Sequence, residues 1–264
     1  MDLQLKDKKA LVTGSTAGIG YGIARQLLKE GAHVIINGRT QERIDSAISQ
    51  LENTVPQCHV SGCVADFSDK EQVNQLITAH DSVDILINNV GIFSPKAFET
   101  ITDEEWLHIF EVNVLSGVRL SRHYLPKMIN QDWGRIIFIS SESGVQIPSE
   151  MIHYGTTKTA QLGVARGLAQ QTSGTNVTVN SVIPGSTRSE GAEKFISDLA
   201  KEKGKSIDEI EREFFETVRP SCLIKRFATI EEVATFVTYL VSPLAAANNG
   251  AALRVDGGTI PTIL

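Results

Sequence analysis

The chain lacks most of what marks secreted, membrane-bound and nucleic-acid-binding proteins. It has three cysteines in 264 residues, Cys58, Cys63 and Cys222. So odd and sparse a set builds no disulfide framework and suits a reducing, cytoplasmic setting. No apolar run approaches the roughly 18 residues of a membrane-crossing helix, and residues 1–9, MDLQLKDKK, lack the apolar stretch of a signal peptide. Positive charge is not in excess either. Lys and Arg number 25 against 31 Asp and Glu, a net charge of −6, which disfavours nucleic acid or an anionic membrane as the main partner. Metal-ligand patterns are missing. Cys58 and Cys63 flank a run that reads as a strand, and a separation of five sets two side chains on opposite faces. No two histidines stand three or four apart, so no metal site is expected.

What is present is alternation, without repeats or low-complexity tracts. Short β-branched runs occur at 9–12, 33–37, 59–65, 84–88, 135–140, 175–183 and 251–255. Segments of helical spacing lie between them at 18–30, 41–52, 70–80, 103–130 and 154–171. Continuous apolar strands, each followed by a helix, predict a parallel sheet covered on both faces. Right-handed crossovers make this an α/β, Rossmann-like, doubly wound sheet of about seven strands. No linker interrupts the rhythm, so residues 1–264 read as one domain. The polar, charged stretch 186–219 is much longer than an ordinary connection and follows a strand end, which reads as a substrate lid.

Three sets of residues carry chemistry. The first strand runs into Thr13-Gly14-Ser15-Thr16-Ala17-Gly18-Ile19-Gly20 and then a helix. Glycines there let the backbone approach a pyrophosphate at the helix N-terminus, so Gly14, Ser15, Thr16, Gly18, Ile19 and Gly20 are candidate cofactor contacts. The second strand ends Asn37-Gly38-Arg39, where NAD-binding folds place an acid on the adenosine ribose. A carboxylate ~4 Å from a 2′-phosphate charge would cost about 4 kcal/mol at an effective dielectric near 20. Its replacement by Gly38, followed by Arg39, points to NADP. Third, Tyr154 and Lys158 stand at i and i+4, so phenol and ammonium share a helical face. A nearby cation can lower a phenol pKa from its ordinary value near 10. Upstream, Ser140-Ser141-Glu142-Ser143-Gly144 and Asn88-Asn89-Val90-Gly91 close two strands, and Asn113 lies within a long helical stretch.

Together these residues resemble the short-chain dehydrogenase/reductase family, in its single-domain branch, over essentially the whole chain. The family's glycine motif matches Gly14, Gly18 and Gly20, and its N-N-A-G motif matches Asn88 to Gly91 with valine for alanine. The resemblance implies Asn113, Ser141, Tyr154 and Lys158 as the catalytic set. It also implies cofactor contacts from Asn37, Arg39, Asp66, Asn88, Val90, Gly91, Pro184, Gly185, Thr187 and Ser189, besides Tyr154 and Lys158. Tyr154 would be the general acid/base and Ser141 would hydrogen-bond the substrate oxygen. Lys158 would bind the nicotinamide ribose and lower the phenol pKa, and Asn113 would hold a water linking Lys158 to solvent. NADP-preferring members often carry a basic residue where Ala17 stands, so the NADP expectation rests on Arg39 and Gly38.

The expected activity is hydride transfer between NADP(H) and a carbonyl or secondary alcohol. An NAD(H)-dependent alcohol dehydrogenase and a non-catalytic cofactor-binding regulatory protein are the alternatives. Ile92, Phe93, Val145, Gln146, Ile147 and Met151 should make a mostly apolar wall with one amide. That suits a 3-oxoacyl thioester, a steroid-like ring or a cyclic ketone. His153 reads as a solvated residue at a helix start. The family implies a homotetramer through helices 103–130 and 154–171, and the apolar tail 259–264 suits burial on a neighbour or on its own chain.

Overall fold

Parallel strands need crossover connections, and each β-branched run is followed by a segment able to supply one. In the computed structural model, which describes residues 1–263 with the side chain of Phe195 excepted, seven strands form one parallel sheet in the order β3-β2-β1-β4-β5-β6-β7. They are β1 (Lys9–Val12), β2 (His33–Gly38), β3 (His59–Val64), β4 (Ile85–Asn88), β5 (Gly134–Ile139), β6 (Val177–Pro184) and β7 (Ala252–Val255). The helices are α1 (Gly18–Lys29), α2 (Gln41–Thr54), α3 (Lys70–Ala79), α4 (Asp103–Phe110), α5 (Ser116–Asn130), α6 (Ile152–Gln170), α7 (Glu190–Lys203), α8 (Ile207–Glu213) and α9 (Ile230–Leu240).

The two-residue period of a strand divides the core. Ala10 and Val12 of β1 pack in one layer with Ile23, Leu27, Ile44 and Val233. Leu11 between them packs in the other with Leu120, Tyr124, Met128 and Ala165. Most helix starts are fixed by side-chain caps. Thr40, Asp69 and Ser189 accept from first-turn N–H groups, and Thr102 with Glu105, Ser206 with Glu209 and Thr229 with Glu232 form capping boxes.

Four features depart from the sequence reading. The helix expected over 103–130 is interrupted by a π-helical turn over Glu111–Leu115, which re-aims the side chains it carries, Asn113 among them. β3 is an edge strand with four exposed residues rather than a buried run, and Cys58 precedes it. Residues 186–219 fold as α7, α8 and a second π-helical turn, Phe214–Val218. A small apolar cluster of Ile196, Ile210, Phe215 and Phe227 holds them together. In the C-terminal tail Ile260 is buried against its own chain and Ile263 is exposed, while Leu264 lies outside the described residues.

The chain reverses its direction of growth between β1 and β4, which lie side by side with β2–β3 on one flank and β5–β7 on the other. The carboxyl ends of strands at such a switch point form a crevice, and there the glycine turn and the Asn88–Gly91 motif meet.

Candidate active site

The glycine turn is pinned from two neighbouring strands. Gly14 N–H donates to Asn37 Oδ1 at 2.9 Å and Ser15 N–H to the Asn37 carbonyl at 2.9 Å. From the other side Asn89 Nδ2 donates to the Thr13 and Gly14 carbonyls at 2.9 and 3.0 Å. Gly14 and Gly18 both have φ +60°, a left-handed conformation that glycine adopts without steric cost. A Cβ on Gly20 would lie 2.5 Å from Asn89 Nδ2 and from the Gly14 carbonyl. The helix behind the turn is left open: α1 has Ala17 at its N-cap, no side-chain cap and no acidic residue in its first turn. Its unpaired N–H groups and dipole therefore face a cavity of about 310 Å³.

That cavity is lined by Gly14, Thr16, Asn37, Arg39, Asp66, Val90 and Gly91 of the expected set. At Gly38 a Cβ would sit 2.6 Å from Thr16 Cγ2, so a side chain there would require the Thr16 side chain to move. Arg43, in the first turn of α2, also lines the cavity and was missed in the sequence reading. Burial alone would raise the Asp66 carboxyl, but hydrogen bonds from the Ser68 N–H and hydroxyl hold it below its ordinary value. Several residues of the expected set also have roles within the fold. Ser15 Oγ donates to the Val12 carbonyl and is wholly buried, and Asn88 Nδ2 donates to Ser121 Oγ within the core. Ile19 packs against the core layer. Pro184 ends β6, and Gly185 lies so close to Asp256 that a Cβ would be 2.6 Å from its carbonyl. Thr187 Oγ1 donates to the Gly185 carbonyl, and Ser189 Oγ caps α7.

Asn113, Ser141, Tyr154 and Lys158 converge beside this cavity, where α6 packs on the loop after β5. Ser140 Oγ donates to the Lys158 carbonyl at 2.8 Å, and Gly144 leaves room for the Lys158 backbone. Lys158 Nζ donates to the Ile139 carbonyl at 2.9 Å and to Gln161 Oε1 at 3.3 Å. Burial lowers its pKa to about 8. Gly91 faces it, with a Cβ position 3.2 Å from Nζ. Asn113 bonds Ile92 in both directions and donates to Thr157 Oγ1. Its carbonyl accepts from Gln161 Nε2 at 2.6 Å. The buried Gln161 amide thus links the Asn113 backbone to Lys158 Nζ, and sequence reasoning did not single this residue out.

The phenol also departs from expectation. Burial first, then the Glu142 carboxylate, push Tyr154 above the ordinary phenol value, with the nearby Ser141 side chain opposing them. Lys158 Nζ lies 5.7 Å from the Tyr154 ring centroid.

Beyond Ser141 the surface also carries charge. Ser141 Oγ donates to Glu142 Oε2 at 2.7 Å, and Arg219 Nε donates to Glu142 Oε1 at 3.1 Å. Glu142 and Arg219 line a second cavity, of about 410 Å³, with Gln146, Ile147 and Thr217. The pairing spans 77 positions of sequence and left no local signal. His153, expected in solvent, is buried with its ring edge-on to Trp106. Among the described residues no cluster of His, Cys, Asp or Glu has the makings of a metal site, and no helix is long and apolar enough to cross a membrane.

Comparison with known proteins agrees with this geometry. The profile of the family described as short chain dehydrogenase matches residues 8–200. The chain is 47% identical over 263 residues to the uncharacterized oxidoreductase YvaG of Bacillus subtilis (strain 168), with both covered in full. It is 33% identical over 263 residues to the 3-oxoacyl-(acyl-carrier-protein) reductase FabG of Aquifex aeolicus (strain VF5), covering 98% of this chain and 99% of that one. Among solved structures, L-sorbose reductase from Gluconobacter frateurii, complexed with NADPH and L-sorbose, matches with a TM-score of 0.93 at 31% identity over the whole of both chains.

Proposed function

Since the chain belongs to the short-chain dehydrogenase/reductase family of oxidoreductases, we propose that it reduces a ketone with NADP(H) as cofactor and Tyr154 as proton donor. The observation that carries the cofactor choice is the end of β2. Gly38 supplies no ribose-binding acid of the kind an NAD site uses, and Arg39 and Arg43 line the same cavity with guanidinium groups suited to a 2′-phosphate. The residues fit such a group: the uncapped start of α1 suits the pyrophosphate, and Asp66 at the far end of the cavity suits the adenine amino group. Lys158 would hold the nicotinamide ribose, with Gly91 leaving space for it, and Thr187 and Pro184-Gly185 stand at the carboxyl end of β6 for the nicotinamide end. The bound nicotinamide supplies the hydride.

The chain's own part is to manage charge and protons on the substrate oxygen. Tyr154, held protonated by its surroundings, donates its proton as that oxygen becomes an alkoxide. Ser141 donates a hydrogen bond to the same oxygen. Residues 186–219, anchored by the Thr187–Ala228 bridge and by Arg219 on Glu142, serve as the substrate lid.

The test is calorimetric titration with NADPH and NADH separately. NADPH should bind at least tenfold more tightly, and Arg39→Ala should weaken NADPH about tenfold while leaving NADH unchanged. Equal affinities, or an Arg39→Ala variant with unaltered NADPH binding, would overturn the cofactor assignment.

A further inference from the structure

Glu142 places a carboxylate where catalysis has no evident use for one. It adjoins Ser141 in sequence, accepts the Ser141 hydroxyl proton, and adds to the field that keeps the Tyr154 proton in place. A negative group beside a developing alkoxide is unfavourable for reduction. Arg219 partly neutralises it, and the side chains of both are largely withdrawn from water, at 8% and 14% exposure. An ion pair in such a setting stabilises a fold little, because desolvation offsets the attraction. The pair also lines the second cavity, and Glu142 ties that cavity to Ser141 through its hydrogen bond. Its position therefore points to recognition.

Ser141 has one hydroxyl proton, and here that proton is directed to Glu142 Oε2. To assist at the substrate oxygen it must be released, which requires another donor for the carboxylate. A plain ketone brings none, and its apolar body would cover the ion pair without replacing the lost water. A hydroxyl on the carbon beside the carbonyl can donate to Glu142 and accept from Arg219. Only two of the five guanidinium N–H groups have partners among the described residues, Glu142 and the Val218 carbonyl. Net charge decides between a hydroxyl and a carboxylate. The pair is neutral as a whole and Glu150 adds a further carboxylate to the cavity lining, so an anionic substrate meets no surplus positive charge.

We propose that the Glu142–Arg219 pair is the specificity element of the substrate pocket, selecting neutral α-hydroxy ketones. Keto sugars and other polyhydroxy ketones are the fullest members of this class. The inference rests on the reductase reading, and it assigns to that site a polar substrate in place of the apolar ketone expected from sequence. Exchange of the Ser141 proton partner makes the α-hydroxyl act in the transition state as well as in binding.

Matched ketones test it: butan-2-one against 1-hydroxybutan-2-one, and cyclohexanone against 2-hydroxycyclohexanone, with saturating NADPH and the full-length protein. The hydroxy member of each pair should have a kcat/KM at least about 30-fold higher, the scale set by a hydrogen bond to a charged group. In the double variant Glu142→Leu/Arg219→Met, which leaves no unpaired charge, that ratio should fall below about threefold. NADPH titration and a thermal melt report whether the variant is folded. Glu142→Gln, nearly isosteric, should lower the ratio by an intermediate amount and stands in if the double variant does not fold. A ratio near one in the wild type, or one that survives the variants, overturns the inference and leaves the reductase reading intact. Preference for a 2-oxo acid over the hydroxy ketones overturns it too and makes Arg219 an anion site. Absence of turnover in both series despite NADPH binding overturns the reductase reading and this inference with it.

Discussion

At the scale of residues, a pH dependence for the proposed site follows from the surroundings of Lys158. Burial lowers its pKa to about 8, and its charged form is held by one carbonyl and one side chain, Ile139 and Gln161. The Gln161 amide is not free to turn, because its nitrogen is committed to the Asn113 carbonyl. Its oxygen must therefore face the ammonium. Since the Lys158 pKa is depressed, the ammonium is present below about pH 8 and is lost as the pH rises through that value. Tyr154, shifted upward, stays protonated over the same interval. Ketone reduction and NADPH affinity should thus both decline above about pH 8, and the decline belongs to Lys158. Gln161→Leu removes an acceptor worth about 1.5–3 kcal/mol to a charged donor, so the decline should begin about one to two pH units lower. Gln161→Glu should move it upward. Calorimetric NADPH affinities measured from pH 6 to 10 check both directions, and superimposable profiles for the three proteins would refute the assignment.

At the scale of elements, α1 differs from six other helices in having no side-chain cap at its start. Stability has been left unclaimed at the point where a pyrophosphate would bind. Ala17→Asp supplies both a cap and a charge that complements the helix dipole, and should stabilise the ligand-free protein by about 0.5–1 kcal/mol. For a chain of this size that raises Tm by roughly 1–4 °C. The same carboxylate would repel the cofactor phosphates, so NADPH affinity should fall at least tenfold. A variant that melts higher and binds NADPH as before would show that the open helix start is not reserved for an anion. The opposition of the two effects also explains what was legible in the sequence. Strands, helices and the glycine turn are written in local periodicity and spacing, and they emerge within about two residues of the reading. Ser141, Tyr154 and Lys158 were legible because a strand end and an i,i+4 pair place them almost without tertiary information. The Glu142–Arg219 pair, the burial of His153 against Trp106 and the Gln161 bridge to Asn113 depend on contacts between distant segments. No pattern of period two or 3.6 encodes such contacts. The π-helical turn at Asn113 was illegible for a related reason, since one extra residue in a helical turn is selected by what its side chain meets.

At the scale of the whole molecule, the outer faces of α4 and α6 leave apolar and bare surface uncovered. Leu107 on α4 is 72% exposed and Phe98, just before that helix, is 58% exposed. On α6, Gly163 and Gly167 stand one helical turn apart with nothing within 4 Å of a Cβ at either position. A helix surface without side chains permits close approach of another helix, and exposed leucine and phenylalanine gain from being covered. Two-fold axes through these faces would pair each helix with its counterpart in a second copy, an isologous arrangement that closes without leaving apolar surface free. The homotetramer implied by the family resemblance is therefore the assembly we expect, and light scattering should give about four times the mass of one chain. Gly163→Arg would insert a long charged side chain between paired α6 helices and should halve that mass. Leu107→Glu should act similarly through the α4 face. Both positions lie on outer helix faces, away from the glycine turn and the β2 end, so NADPH should still bind to the smaller species. A wild-type mass of one chain would reject the assembly, and an unchanged mass in both variants would move the interface to another face of the molecule.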